Sequence, residues 1–128
     1  MECKVLIIDD SVILRKSIRK SVVHAGISDS SIREAGNGRI ALDLVKEQVP
    51  ELVLLDINMP VMDGEQFLQE LSQKEVFKRI TVLIVSTEKN INRHARLAQL
   101  GAKARLHKPF EPEQLISLIK KHLPGKVA

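Results

Sequence analysis

The stretch that decides the fold is residues 52–64, LVLLDINMPVMDG. Four consecutive apolar residues, 52–55, predict a strand covered on both faces, because a half-exposed strand would alternate apolar and polar side chains. Asp56 follows directly, and Pro60 and Gly64 mark the loop that comes next. Open α/β folds bind ligands beyond the carboxyl ends of their strands, so Asp56 lies where such folds place functional groups. Taken alone, an aspartate that begins a turn explains it more simply.

Short apolar runs of this kind recur along the chain and alternate with helical patterns. The strand candidates are residues 4–8, 31–35, 52–55, 80–85 and 104–107. Strands that alternate with helices predict βαβ units, and therefore a parallel sheet with helices on both faces. The sequence shows no internal repeat or linker. We therefore predict a single α/β domain over residues 1–128, with its core at about residues 3–123.

Apolar residues recur at three- and four-residue spacing after each strand candidate, which predicts five helices. The last begins near Pro112, whose missing N–H costs nothing in the first turn of a helix. The fourth, roughly Asn90 to Leu100, is more polar than the others. Ile91, Ala95 and Ala98 form its apolar stripe.

The composition fits an ordinary globular domain and excludes several classes of function. A chain of 128 residues that is 44% apolar can bury its own core. Cys3 is the only cysteine, so no internal disulfide can form, and we predict a cytoplasmic protein. The N-terminal apolar run is too short for a signal peptide or a membrane span. The net charge of +4 is dispersed, without interleaved aromatic residues to stack bases, so we expect no nucleic-acid site.

The ends of the predicted strands carry five polar side chains. Asp9 and Asp10 follow the first strand, Asp56 the third, Ser86 the fourth and Lys108 the fifth. The carboxyl ends of parallel strands share one edge of a sheet, so these side chains should meet there. Three carboxylates repel each other unless a cation relieves them, and oxygen ligands suit Mg²⁺. A hydroxyl and an ammonium can bind phosphoryl oxygens, and a carboxylate can form an acyl phosphate. We therefore predict Mg²⁺-assisted phosphorylation of one aspartate.

These motifs resemble those of a response-regulator receiver domain of two-component signalling, in its CheY-like stand-alone form. The resemblance is carried by Asp9-Asp10, by Asp56 with the MPVMDG of residues 59–64, by Ser86, and by Lys108-Pro109-Phe110. These positions span nearly the whole chain. The resemblance implies a flavodoxin-like, doubly wound sheet of five parallel strands in the order 2-1-3-4-5, the order known for CheY itself, with five helices.

The resemblance also implies a phosphoacceptor and a metal site. Asp56 resembles the phosphoacceptor of the family. Asp10 and Asp56 would be direct ligands of Mg²⁺, with the backbone carbonyl of Asn58 as a third ligand. Asp9 would act on the ion through water. The cofactor that the resemblance implies is therefore Mg²⁺.

Further roles follow for the residues around the acceptor. Ser86 would bond a phosphoryl oxygen and Lys108 would pair with the phosphoryl group, and the Lys108–Pro109 peptide bond should be cis. Asn58 and Glu88 hold the two positions that influence hydrolysis of the acyl phosphate in this family. Polar side chains at both positions resemble the short-lived chemotaxis type, so we expect the aspartyl phosphate to turn over quickly.

The implied function is a phosphorylation-activated switch rather than a turnover enzyme. It would accept phosphate from a sensor histidine kinase and signal by binding a downstream protein on the face of the last helix and fifth strand. It would also dephosphorylate itself. The kinase and the target protein are the expected partners, with no nucleic acid and no membrane insertion.

Arg105 departs from the family pattern, which usually has Tyr or Phe three residues before the strand-five lysine. In the family this aromatic side chain moves together with the Ser or Thr at the position of Ser86. A guanidinium is too costly to bury unpaired. Arg105 therefore either stays outside as a partner contact, which we favour, or pairs with an acid such as Glu88.

Three alternatives stay open at this stage. A small phosphatase could use Asp56 on external substrates, although haloacid-dehalogenase-like enzymes place paired aspartates two apart and add a cap domain, whereas Asp9 and Asp10 are adjacent. Nucleotide binding is disfavoured because the first βα turn, DDSVILRK, lacks glycines that could cradle a pyrophosphate. The residues could also be the receiver part of a longer regulator with a DNA-binding output.

Overall fold

The computed structural model describes residues 3–125, so residues 1–2 and 126–128 of the expected domain lie outside it. Within the described residues, five strands alternate with five α-helices. The strands are β1 (Val5–Ile8), β2 (Ile32–Ala35), β3 (Leu52–Leu55), β4 (Thr81–Ser86) and β5 (Ala104–His107). The helices are α1 (Val12–His24), α2 (Gly38–Glu47), α3 (Gly64–Leu71), α4 (Ile91–Gln99) and α5 (Pro112–His122). Short 3-10 turns occupy Asp29–Ser31 and Glu75–Arg79.

All neighbouring strands pair in parallel, in the order β2-β1-β3-β4-β5. This confirms the predicted doubly wound sheet. The register aligns the strand ends: Ile8 of β1 lies opposite Leu55 of β3, which in turn lies opposite Ile84 of β4. The residues that follow β1 and β3 therefore emerge side by side at one edge.

Strands β1 and β3, which lie inside the sheet, are buried along their whole length. Because side chains alternate across a strand, each strand supplies both layers of the core. Leu6 and Leu55 pack in the layer beneath α2 and α3, around the fully buried ring of Phe67. Ile7 packs in the opposite layer, together with Ile119 of α5. Helices on both faces thus remove the sheet from water.

The apolar stripe predicted for α4 does not face the core. Ile91 is 76% exposed, and Ala95 and Ala98 are exposed as well, whereas Leu97 is the buried residue of the helix. The physical reason is Arg93, which lies one turn before Leu97 on the half-buried face and forms ion pairs there. An arginine at an inward position displaced the periodicity that the apolar residues alone suggested.

No helix within residues 3–125 combines the length and the apolar composition that crossing a membrane requires.

Gly64 begins α3 directly against the segment that carries the acceptor candidate. Its backbone N–H donates to the carbonyl oxygen of Ile57 at 2.7 Å. A Cβ added to Gly64 would collide with the backbone carbonyl oxygen of Asp56 and would lie 2.8 Å from the Cα of Ile57. Both obstacles are backbone atoms, which cannot turn aside as a flexible side chain can. The close approach of two chain segments therefore requires a glycine here.

We predict that Gly64→Ala destabilises the fold by about 3 kcal/mol, because the backbone around Asp56 must shift to admit the methyl group. Urea unfolding followed by far-ultraviolet circular dichroism measures this change in a chain without Trp or Tyr. The matched control is Gly36→Ala, whose Cβ would approach no closer than 3.6 Å to an Arg15 nitrogen. Equal stability of the two variants would contradict the prediction.

Candidate functional site

The predicted site residues meet at the carboxyl edge of the sheet. Asp9 follows β1, Asp56 follows β3, Ser86 ends β4 and Lys108 follows β5. These four polar residues are buried, whereas Asp10 is exposed at the mouth of the cluster. The parallel register brings them together, because each strand delivers its next residue to the same edge. The structure therefore assembles the predicted constellation.

The ammonium group of Lys108 lies close to two carboxylates of the site. Its Nζ donates to Oδ2 of Asp9 at 2.5 Å and lies 3.7 Å from Oδ1 of Asp56. Its backbone N–H donates to the carbonyl oxygen of Ser86 at 3.0 Å, which fixes where the side chain starts. A buried ammonium needs a close counter-charge, and Asp9 supplies it. Asp56 is thereby left near a positive charge without being tied to it in a tight pair.

The carboxylates of Asp9, Asp10 and Asp56 form a cluster that suits a divalent cation. Each offers an oxygen atom, and these atoms all lie within 4.8 Å of one another. Hard cations such as Mg²⁺ prefer oxygen ligands, and Mg²⁺ keeps several waters, which fits a site that is open on the side of Asp10. Three carboxylates facing one ammonium also leave negative charge for a cation to balance. The donor set therefore fits the implied cofactor.

The environment of Asp56 shifts its ionisation. Burial raises the pKa of Asp56 above its usual value, and the nearby Asp9 carboxylate adds to the effect. The ammonium of Lys108 and the backbone N–H of Ile57, which donates to Oδ1 at 2.9 Å, act in the opposite direction on this pKa. Without a bound cation, the ionised form of Asp56 therefore lowers the stability of the folded state.

Two arginines of α1, Arg15 and Arg19, form hydrogen bonds near the end of β1 that sequence analysis did not foresee. The Nη1 of Arg15 donates to the backbone carbonyl oxygen of Asp9 at 2.7 Å, and its Nε donates to Oε1 of Glu34 at 2.8 Å. Arg19 donates to the other oxygen of Glu34 at 2.7 Å. Burial works against ionisation of Glu34, but the bonds from Arg19 and Arg15 lower its pKa below the usual value. Helix α1 is thus tied to β2 beside the site.

Asn58 and Glu88 are held by one side chain, Arg93 of α4. The Nη1 of Arg93 donates to Oδ1 of Asn58 and to Oε1 of Glu88, both at 2.8 Å. The backbone N–H of Glu88 donates to Oγ of Ser86 at 3.1 Å. Bonds from the backbone N–H of Asn90 and from Arg93 lower the pKa of Glu88. The ion pair considered above between Arg105 and Glu88 is thus replaced by one between Arg93 and Glu88.

Sequence reasoning missed Arg93 because its partners are scattered along the chain. Asn58 lies 35 residues away and Glu65 lies 28 residues away. A helical arginine flanked by polar residues has the pattern of a solvated face. The one feature of the sequence that indicated an inward position for Arg93 was its spacing of four residues from the apolar Leu97.

Arg105 is exposed on β5, between two depressions of the surface. One is an apolar groove of about 370 Å³ between α4 and β5, whose lining includes Ile91, Ala95 and Ala98. The other, of about 300 Å³, is lined in part by Ser86, Glu88, Lys89, His94 and His107. Arg105 lines both, so it stands where the surroundings of Ser86 meet the outer surface. The Lys108–Pro109 peptide bond is cis, as the resemblance implied.

Comparison with known proteins gives the same picture over nearly the whole chain. The family model described as response regulator receiver domain matches residues 5–120. The chain is 34% identical to chemotaxis protein CheY of Bacillus subtilis over 123 residues, which cover 96% of this chain and 99% of that protein. It is 32% identical to sporulation initiation phosphotransferase F of the same organism, over 98% of both chains.

Solved structures agree. The structure of chemotaxis response regulator CheY4 of Vibrio cholerae superimposes with a TM-score of 0.86 at 29% identity, and the match covers 96% of this chain and 100% of that one. The matching family model and relatives show a signalling domain that is switched by phosphorylation. This chain belongs to the response regulator receiver domain family. Receiver domains are phosphorylated by histidine kinases and act on downstream targets, as signalling proteins rather than turnover enzymes.

The raised pKa of Asp56 predicts how the fold responds to pH. Because the folded pKa lies above the unfolded value, the protonated carboxyl contributes stability below about pH 4, and this is lost as pH rises through the folded pKa. Asp56→Asn keeps the shape and removes the charge. In chelator-treated buffer it should therefore raise Tm at pH 7, with the difference shrinking below about pH 4.

Thermal melts followed by circular dichroism at both pH values measure the effect. The control is Asp43→Asn, which changes an exposed aspartate on α2 and should leave Tm nearly unchanged at either pH. A variant at Asp56 that melts at or below the wild-type temperature at pH 7 would show that ionised Asp56 is not a burden to the fold.

Proposed function

We propose that this chain is a signalling switch that accepts a phosphoryl group on Asp56 from a sensor histidine kinase. The observation that carries the proposal is the uneven sharing of the Lys108 ammonium. Asp9 takes the tight bond at 2.5 Å, and Asp56 lies 3.7 Å away. A carboxylate near an ammonium but outside a tight pair keeps its oxygen available to attack phosphorus. The same ammonium can bind an incoming phosphoryl group.

In the proposed reaction, a carboxylate oxygen of Asp56 attacks the phosphorus of a phosphohistidine. A P–O bond forms as the P–N bond breaks, and the electron pair leaves with the imidazole, which takes up a proton from water. Lys108 and Ser86, both buried beside Asp56, bind the oxygens of the transferred group. The chain then carries an acyl phosphate at the sheet edge.

The carboxylate cluster supports Mg²⁺ as the cofactor. Asp10, Asp56 and the backbone carbonyl of Asn58 would bind the ion directly, with Asp9 acting through water. When bound, the ion neutralises charge on the carboxylates and on the phosphoryl oxygens. Exposed Asp10 leaves one side of the cluster open to water and to the donor.

The same site supports self-dephosphorylation, with Asn58 and Glu88 setting the lifetime of the acyl phosphate. Asn58 lies two residues after Asp56, and the backbone N–H of Glu88 bonds Ser86. Both residues are thus linked, along the chain or by a hydrogen bond, to residues that would bind the phosphoryl group, which supports a role in the access of water to phosphorus. The proposal keeps the expectation of a phosphate that hydrolyses without a partner enzyme.

The downstream target would be a protein that binds the face of α5 and β5. Exposed Arg105 of β5 and exposed Lys103 just before it form a basic rim beside this face, and the groove between β5 and α4 has an apolar lining. An acidic protein surface with apolar anchors suits this combination. We propose that residues 1–128 form one receiver domain that works in the cytoplasm. A reducing compartment suits a chain whose single cysteine cannot form an internal disulfide.

Incubation with Mg²⁺ and a small-molecule phosphodonor tests the acceptor directly. The intact mass should rise by one acid-labile phosphoryl group, and Asp56→Asn should abolish this gain because the nucleophilic oxygen is lost. Excess chelator should also suppress it. Asp43→Asn, at an exposed aspartate of α2, should be labelled like the wild type. Equal labelling of wild type and Asp56→Asn would show that the acceptor is elsewhere.

Arg105→Ala tests the separation of chemistry from output. The side chain is exposed, so labelling of Asp56 should stay within roughly twofold of wild type. Binding of the phosphorylated chain to its target, measured by titration, should weaken. Arg79→Ala removes another exposed arginine, from the turn before β4, and should leave binding intact. Loss of labelling in Arg105→Ala would contradict the proposed role.

A further inference from the structure

Arg93 connects three segments that surround the acceptor. Its Nη1 bonds Asn58 in the loop after β3 and Glu88 in the loop after β4, both at 2.8 Å. Its Nη2 bonds Oδ2 of Asp63, the residue that caps α3, at 3.2 Å. Its Nε bonds Oε1 of Glu65 in the first turn of α3 at 3.1 Å. Only 19% of the side chain is exposed, so these bonds are largely shielded from solvent.

These bonds leave the guanidinium little capacity for other ligands. An arginine has five N–H donors, and four are directed at these acceptors. Arg93 is therefore not placed to bind a phosphoryl group itself. Any effect of Arg93 on the chemistry at Asp56 acts through the residues that it holds.

Two of the acceptors that Arg93 holds, on Asn58 and Glu88, belong to the residues to which the proposed function assigns the lifetime of the acyl phosphate. A hydrolytic water needs a hydrogen-bond acceptor that orients it toward phosphorus. Oδ1 of Asn58 and Oε1 of Glu88 are both engaged by Arg93. The other carboxylate oxygen of Glu88 accepts the backbone N–H groups of Lys89 and Asn90, at 3.1 and 3.2 Å. Oδ1 of Asn58 and both carboxylate oxygens of Glu88 therefore already accept hydrogen bonds from the protein.

We propose that Arg93 is a positioning residue that withholds Asn58 and Glu88 from the attacking water and so lengthens the lifetime of the aspartyl phosphate. The inference rests on the proposed function. In the step that it slows, a water oxygen bonds to phosphorus while the bond from phosphorus to the Asp56 oxygen breaks. The carboxylate is regenerated, and both protons of the water leave on inorganic phosphate.

The test compares two arginines of the same helix. Arg96 bonds Glu65 through Nε and Nη2 but neither Asn58 nor Glu88, so Arg96→Ala is the matched control. After labelling with a small phosphodonor and removal of the donor, loss of the phosphoryl group is followed by intact mass. Arg93→Ala should lose it roughly three- to tenfold faster than wild type, because two acceptor groups are released. Arg96→Ala should stay within about twofold.

A second background separates positioning from a general loosening of the fold. In the double variant Asn58→Ala, Glu88→Ala, the groups through which Arg93 acts are gone. Adding Arg93→Ala there should not change the rate of phosphoryl loss further. An acceleration as large as in the otherwise wild-type chain would overturn the proposal, since it would then come from disturbed packing of α4.

The outcomes distinguish this inference from the proposed function. A wild-type chain that takes up no phosphoryl group would overturn the proposed function, and the inference with it. If the chain is labelled on Asp56 but Arg93→Ala and Arg96→Ala lose phosphate at the same rate, the inference alone falls. Slower loss in Arg93→Ala would overturn it too, because Arg93 would then promote hydrolysis.

Discussion

The buried bond between Lys108 and Asp9 is the constraint on which the rest of the site depends. It joins residues 99 positions apart, one following the first strand and the other following the last. An ammonium removed from water at this depth is tolerated only beside a carboxylate with good geometry. Once Asp9 meets that need, Asp56 can stand in the same field without being neutralised by a tight contact. Asp56, the proposed acceptor, stays outside a tight ion pair because Asp9 forms that pair with Lys108.

The sheet and the five residues at its edge could be predicted because their signals are local and regular. Continuous apolar runs mark strands covered on both faces, and the residue after each run must emerge at the shared edge. Asp9, Asp56, Ser86 and Lys108 therefore needed only the strand ends to be located. Parallel pairing with aligned registers then brings them together. Their detailed roles came from resemblance, since neither spacing nor composition distinguishes a direct metal ligand from one that acts through water.

Helix α4 could not be predicted in the same way, because its inward face is partly polar. Periodicity assigns the core to apolar residues, and Ile91, Ala95 and Ala98 form a regular stripe. Arg93 competes for the inward position, and its partners come from segments distant in the chain. Nothing in a single sequence states that acids at the start of α3 and in the loop after β4 will converge on one guanidinium. The inward position of Arg93 therefore explains both why the apolar stripe of α4 does not face the core and why sequence analysis did not single out Arg93.

The inward position of Arg93 also bears on how the site is connected to the outer surface. The family pattern places an aromatic residue where this chain has the exposed Arg105, so an inward-moving ring is not available here. Helix α4 offers another connection, because Arg93 bonds Asn58 and Glu88 on one side while Ile91 and Ala95 line the groove on the other. Both sets of contacts belong to one helix of nine residues. A connection through α4 would link Asn58 and Glu88 to the groove without requiring Arg105 to enter the core.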